Sequence, residues 1–236
     1  MHFVLAEGGT VWNHETPQAD EFKHKLRDSL QRETPGSRTI KVARHDKVYV
    51  TGDQDDTIYF IESGQIKLLM HPTEGKECLL AIHSGGDIFG ELSLSGLGPR
   101  LETAMAMKTS VLKQIPCDQF FAILSRASLF EGFVRYLAVR VAVQQQMIAN
   151  LATIGSEQRL IQTLLQLART MGKKDQNTIR MELRISHEEL AEMVGTTRPR
   201  ISLFMKRFHH LGLIERNDHF LIIKEKELTD YLAQVS

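Results

Sequence analysis

The spacing of apolar positions changes along this chain, and each change marks an element. Between residues 18 and 30, Phe22, Leu26 and Leu30 recur at helical spacing and predict a helix, ended by Pro35 and Gly36. From 39 to 114 the texture turns to short β-rich runs: TIKVA, KVYV, TIYFIE, QIKLLMH, ECLLAIH and ETAMAMKTSVLKQI. Glycines 52, 64, 75, 85, 86 and 90 fall between them, which predicts an all-β sandwich or barrel of the jelly-roll kind. Residues 117–125 return to helix with DQFFAILS, and a longer helix follows over about 129–152. Its apolar positions are Phe130, Val134, Leu137, Val141, Gln144, Ile148 and Leu151, a heptad seam with one polar member. Such a seam predicts a parallel dimer helix; the alternative is a helix packed only on its own β domain. Gln144 either fixes the register of the seam or reaches a ligand held against the helix. Thr153, Gly155 and Ser156 break the pattern and mark a hinge. An amphipathic helix over 158–171, a loop GKKDQNT and a strand IRMELRI come next.

The stretch over 186–210 has the most specific pattern. Ser186 is a natural N-cap, and Glu189 three residues later completes a capping box. Leu190, Ala191, Met193 and Val194 make one side of a short helix apolar, and Gly195 suits a tight turn. Thr196 and Thr197 are placed to cap a second helix, in which Ile201, Phe204, Met205 and Phe208 form a buried face. The other face carries Arg198, Arg200, Ser202, Lys206 and Arg207, and no carboxylate interrupts 195–210. This is a helix-turn-helix pattern. Its second helix would enter a DNA major groove by its N-terminal end, with Arg198 and Arg200 nearest the base edges and Thr197, Ser202 and Lys206 on the same DNA-facing side. A helical hairpin with a solvated basic face is the plainer alternative. Residues 213–216 and 219–223 flank Asn217 and Asp218 as a hairpin, which would be the wing, and 228–235 is a terminal helix. The predicted fold class is α+β. The predicted domains are 1–152, a β domain with its dimerisation helix, and 153–236, a winged helix-turn-helix.

Composition narrows the picture. The chain has 236 residues, enough for one large or two modest domains. Lys+Arg and Asp+Glu are equal at 29 each, so the basic character is local to 195–210 and no global charge pulls the chain to nucleic acid. Two distant cysteines, Cys78 and Cys117, suit a reducing cytoplasm and cannot hold a four-thiolate cluster in one chain. No run of about 18 apolar residues predicts a membrane span, and the start has no basic, then apolar, leader pattern. No metal-ligand cluster, nucleophile elbow or acid pair is visible, which argues against an enzyme and against catalytic or metal-binding residues. Residues 1–16 carry no signal.

Taken together, VYVTGDQDDTIYFIESGQIKLL, GDIFGELSLSGLGPRLETAMA, RLIQTLLQLA and ISHEELAEMVGTTRPRIS resemble the family of the cAMP receptor protein and the fumarate–nitrate regulator. The resemblance implies a cyclic-nucleotide-binding β-roll, a dimerisation helix and a winged helix. It implies a homodimer on palindromic double-stranded DNA, working with RNA polymerase, and cAMP or a related cyclic nucleotide as effector. Gly90, Glu91 and Leu92 would open a short helix whose N–H groups face a phosphate. Glu91 takes the family's ribose position and Arg100 its phosphate position, where a guanidinium fork suits a phosphate diester. Gln144 and Gln145 fall near the family's adenine contacts, and Arg198 takes the place of its guanine-contacting arginine.

The departures matter too. Leu101 stands where the family has Ser or Thr, and Glu102 adds a negative charge, unless it points to solvent. Pro199 and Leu203 replace two base-reading residues, so the half-site is expected to differ, and Pro199 allows the helix boundary to shift by a residue. Two readings of the pocket stay open. One is a cyclic nucleotide or other small organic anion on Arg100, Glu91 and the backbone of 90–92. The other is a relic in which Arg100 pairs with an internal carboxylate such as Glu91 or Glu102, leaving a constitutive DNA-binding protein. Haem would need axial ligands, for which only Cys78, His71 and His83 are suggestive.

Overall fold

A computed structural model describes residues 17–31, 36–70, 77–96, 98–182, 185–217 and 220–235. Two compact units form, Glu15–Arg140 and one built on Val141–Ser236, and the boundary falls inside one long helix.

In the first unit, α1 (Pro17–Gln31) buries Phe22, Leu26 and Leu30, the positions its spacing singled out. Six strands follow: β1 (Arg38–Val42), β2 (Lys47–Tyr49), β3 (Thr57–Met70), β4 (Cys78–Ser84), β5 (Ile88–Phe89) and β6 (Thr103–Pro116). They form one antiparallel sheet in the order β1-β6-β3-β4, with β2 on β6 and β5 on β3. A single 3-10 turn, Glu91–Ser95, sits between β5 and β6. The helices α2 (Cys117–Arg126) and α3 (Phe130–Thr153) come next.

One difference from the sequence reading is instructive. TIYFIE and QIKLLMH are not two strands joined by a turn at Gly64 but one continuous strand, β3, through Met70. Gly64 has φ +115°, and a Cβ there would lie 2.1 Å from Ser110 Oγ on β6. The register against β6 shifts on both sides of it, so the glycine makes a bulge that lets a long strand bend.

The long helix has two apolar faces. Phe133 and Tyr136 are buried, with ring centroids 5.9 and 5.4 Å from Phe22 of α1. Of the seam positions, Phe130, Val134, Val141, Ile148 and Leu151 are 44–68% exposed, while Leu137 is partly buried on the core. Packing on its own unit therefore uses a different face from the seam.

The second unit holds α4 (Ser156–Met171), β7 (Lys173–Asp175), β8 (Thr178–Glu182), α5 (His187–Val194), α6 (Arg198–His210), β9 (Ile214–Arg216), β10 (Phe220–Lys224) and α7 (Glu225–Val235). Its antiparallel sheet runs β7-β8-β10-β9. Residues 173–175, expected in a loop, form an edge strand on β8, and α7 starts directly after β10 instead of at 228. Asp218 of the expected turn and His219 of the expected second strand lie outside the described residues, but Asn217 N donates to Phe220 O across the hairpin at 3.0 Å. The α+β architecture of β-roll, long helix and winged helix-turn-helix is the one expected. Among the described residues no helix is long and apolar enough to cross a membrane.

Candidate effector pocket and nucleic-acid interface

The β-roll brings Gly90 and Arg100 together. The backbone of Arg100 is tied to the loop before β3, its N donating to Asp53 O (2.9 Å) and its O accepting from Gly52 N (2.8 Å). Its side chain then runs inward and the residue is only 5% exposed. Nη1 donates to Gly90 O at 2.9 Å, and Nη2 donates to Thr57 O and to Asp55 Oδ2, the latter at 2.7 Å. The guanidinium carbon lies 4.2 Å from the centre of the Tyr49 ring, a cation–π contact. A Cβ on Gly90 would come within 2.9 Å of Arg100 Nη1, so glycine is what permits this approach.

The carboxylates fall elsewhere than expected. Neither Glu91 nor Glu102 pairs with Arg100; its carboxylate is Asp55, which the sequence reading did not single out. Glu91 pairs instead with Arg140 of α3, Oε1 to Nη1 at 2.8 Å, and both are largely buried. Glu102 does not point to solvent; it is 4% exposed and accepts a hydrogen bond from Tyr49 Oη at 3.0 Å. Burial raises the Glu102 carboxyl above the usual range, and the nearby Glu91 charge adds to that, against the Tyr49 hydrogen bond. Burial also raises the Tyr49 phenol, helped by Glu102, and raises that of Tyr59 to about 12, helped by Asp55. Leu92 and Leu101 are exposed. Gln144 and Gln145 are exposed on the stretch of α3 that belongs to the second unit. Of the haem candidates, His71 lies outside the described residues and His83 is buried beside Asp87, Nδ1 to Oδ2 at 3.9 Å.

The second unit follows its sequence closely. The capping box is made: Ser186 Oγ accepts from Glu189 N (3.1 Å) and Ser186 N donates to Glu189 Oε2 (2.8 Å). Gly195 is left-handed and ends α5, whose Leu190, Ala191 and Val194 are buried; Met193 is only half-buried. In α6 the buried face is Ile201, Phe204, Met205 and Phe208. Arg198 is the first helical residue, so Pro199 sits in the first turn without displacing the boundary; Thr197 is at the N-cap but its side chain makes no cap. Arg198, Arg200 and Lys206 are exposed and form no salt bridge among the described residues. Arg207 does not belong with them, because Glu157 of α4 holds it at 2.9 Å.

Residues that sequence reasoning missed complete this face. His187 Nδ1 is 2.9 Å from Ser202 Oγ, and its Nε2 is 3.4 Å from Arg216 Nη1 of β9, which links α5, α6 and the wing. Burial and the charges of Arg216 and Arg198 lower its pKa. A cleft of about 600 Å³ opens here, with His187, Arg198 and Arg216 on its walls. Arg159 of α4 braces the turn by donating to Val194 O at 2.7 Å and Gly195 O at 3.2 Å.

Comparison with known proteins gives two matches that between them span most of this architecture. Residues 39–127 match the cyclic nucleotide-binding domain, and residues 158–231 match the Crp-like helix-turn-helix domain. The chain belongs to the family of the cAMP receptor protein and the fumarate–nitrate regulator. It is a DNA-binding transcription regulator carrying a cyclic nucleotide-binding domain. Among its relatives, the CRP-like cAMP-activated global transcriptional regulator of Mycobacterium tuberculosis is 29% identical over 189 residues, 80% of this chain and 84% of that protein. Electron transport regulator A of Shewanella oneidensis is 26% identical over 95% of this chain and 87% of its own length. A CooA mutant from Carboxydothermus hydrogenoformans has the same fold, with TM-score 0.72 and 24% identity over 88% of this chain and 95% of its own.

Proposed function

We propose that this chain acts as a homodimer on palindromic double-stranded DNA and is controlled by a small effector held in its β-roll, cAMP or another small organic anion. The observation that carries the DNA reading is the α6 surface, where Arg198, Arg200 and Lys206 stand in solvent without carboxylate partners among the described residues, above a buried opposite face. The N-terminal end of α6 enters the major groove, Arg198 and Arg200 read base edges, and Thr197, Ser202 and Lys206 lie along the backbone. The exposed seam of α3 is the dimer face, and Gln144 within it fixes register. Two-fold symmetry then places the recognition helices one helical turn apart, about 34 Å.

The effector reaches Arg100, Glu91 and the backbone of Gly90 and Leu92. It acts only by favouring one arrangement of the winged helix-turn-helix domain, residues 153–236, about a hinge at 153–156. A second reading, a constitutive regulator with no effector, is favoured by one observation: Asp55 already neutralises Arg100. The family reading also brings contact with RNA polymerase, a cytoplasmic location and the absence of catalytic chemistry.

Selection from random DNA with the purified protein, with and without cAMP or cGMP, tests this reading. A two-fold symmetric site that needs nucleotide supports it. The same site selected equally without any small molecule supports the constitutive reading. Val134→Asp and Ile148→Asp put charge on solvent-facing seam positions and are expected to yield monomers in sedimentation. A persisting dimer would show that the seam is not the interface.

A further inference from the structure

We propose that Asp55 is a tethered stand-in for the effector's anion, so that binding in the β-roll is an exchange of one anion for another on Arg100, and Asp55 sets which anions succeed. The proposal rests on the reading that the effector binds at Arg100.

The hydrogen bonds come first. Three of the five guanidinium N–H groups are taken, one on Nη1 by Gly90 O and both on Nη2 by Thr57 O and Asp55 Oδ2, while the buried Nε has no partner among the described residues, so a phosphate that takes a two-pronged hold including Nη2 must displace Asp55. Charge gives the same answer. Around the site, Arg100 is balanced by Asp55 and Arg140 by Glu91. Glu102 is buried in contact with Tyr49, and its carboxyl holds its proton more tightly than usual. Among the described residues no unpaired positive charge is left at Arg100 or Arg140 for a ligand. An added phosphate in this low-dielectric interior would be uncompensated unless a carboxylate left.

Asp55 is the carboxylate free to leave. Its side chain is 23% exposed while that of Arg100 is 3% exposed. Glu91 is buried, and its Oε1 is held by Arg140. Asp55 also borders a cleft of about 560 Å³, with Gln54, Asp56 and Ser93 on its walls, which gives the displaced carboxylate room and water. Tyr59 Oη, 3.1 Å from Asp55 Oδ2, is the other bond that breaks when it swings out. A ligand must therefore offer Arg100 more than a carboxylate does. A free monocarboxylate offers Arg100 only the group Asp55 already supplies and bears the cost of association besides, whereas a cyclic phosphate diester adds contacts from the rest of the nucleotide to its two acceptor oxygens.

The test is isothermal titration of the full-length wild type and Asp55→Asn with cAMP, and with acetate as the weak anion. Asn keeps the size of the side chain and removes its charge. The expected result is cAMP binding about 10- to 100-fold tighter in Asp55→Asn, in line with the loss of a charged competitor, and acetate binding only in the variant. Asp55→Ser serves as the second variant if Asn impairs folding, judged by a thermal melt. Equal cAMP affinity in wild type and variants would overturn the role of Asp55 and leave an effector at Arg100 standing. Binding by the variants alone would support Asp55 as the block and overturn effector control in the native chain. No binding by any of the proteins would overturn both.

Discussion

Arg100 and Arg198 have the same side chain and opposite surroundings. Arg100 is sealed in the β-roll, its charge matched by Asp55 and two of its N–H groups given to the carbonyls of Gly90 and Thr57. Arg198 stands at the tip of α6 in water, with cations nearby and no salt bridge among the described residues. A buried guanidinium needs a counter-ion at all times, from the protein or from a ligand, because desolvation without one is prohibitive. An exposed one can wait for its partner, because water solvates it meanwhile. The roll thus stores its anion internally, while the recognition helix keeps its cations unspent for a phosphate-rich surface.

The largest expected contrast is in stability. Arg100→Leu strands Asp55 and the carbonyls of Gly90 and Thr57, and is expected to cost about 3–5 kcal/mol in urea unfolding of the β-roll unit. Arg198→Ala should stay within about 0.5 kcal/mol of wild type. A neutral Arg100→Leu would mean that the ion pair is solvated and the contrast false. Next in size, Arg198→Ala and Arg200→Ala should each lose about 1–3 kcal/mol of discrimination at one base pair per half-site, read by selection from random DNA. Unchanged preference would move that arginine off the base edges. Third, Lys206→Ala should lower the salt slope of DNA binding by about 1 on every sequence, whereas Arg207→Ala, already paired with Glu157, should leave the slope alone. Equal slopes for both variants would dissolve the distinction between paired and open cations.

The smallest effect concerns Glu102. Its folded-state carboxyl is raised above the usual 4.5, so the folded protein binds this proton more tightly than the unfolded chain does. The resulting stabilisation is fully present below 4.5 and is lost as pH rises through the raised value. Glu102→Gln removes that loss. Its melting temperature relative to wild type should therefore climb as pH rises from about 4.5 toward neutrality. Parallel curves would place Glu102 in water.

Elements whose residues act on near neighbours were legible in the sequence. The capping box of Ser186 and Glu189, the turn at Gly195, the buried face of α6 and the amphipathic helix α4 depend on near-neighbour spacing, and all appear as expected. The exposed stripe of α3 was legible for the same reason, since a heptad can be counted. The bulge at Gly64 was not, because a turn and a bulge both ask for a positive φ, and only Ser110 on β6 decides between them.

The pocket was legible as a motif and not as a charge balance. Gly90, Glu91 and Arg100 resemble the family's anion-binding cassette, and that resemblance is readable in the sequence. Which carboxylate meets Arg100 depends on strand pairing that carries Asp55 across 45 residues to it, and on a helix that brings Arg140 to Glu91. Nothing in the run TGDQDDT distinguishes Asp55 from its acidic neighbours. Sequence by itself determined most of the elements and the helix-turn-helix, because local spacing governs these. Tertiary structure alone decided who neutralises whom, because a buried charge is settled by the nearest opposite charge in space, wherever that charge lies along the chain.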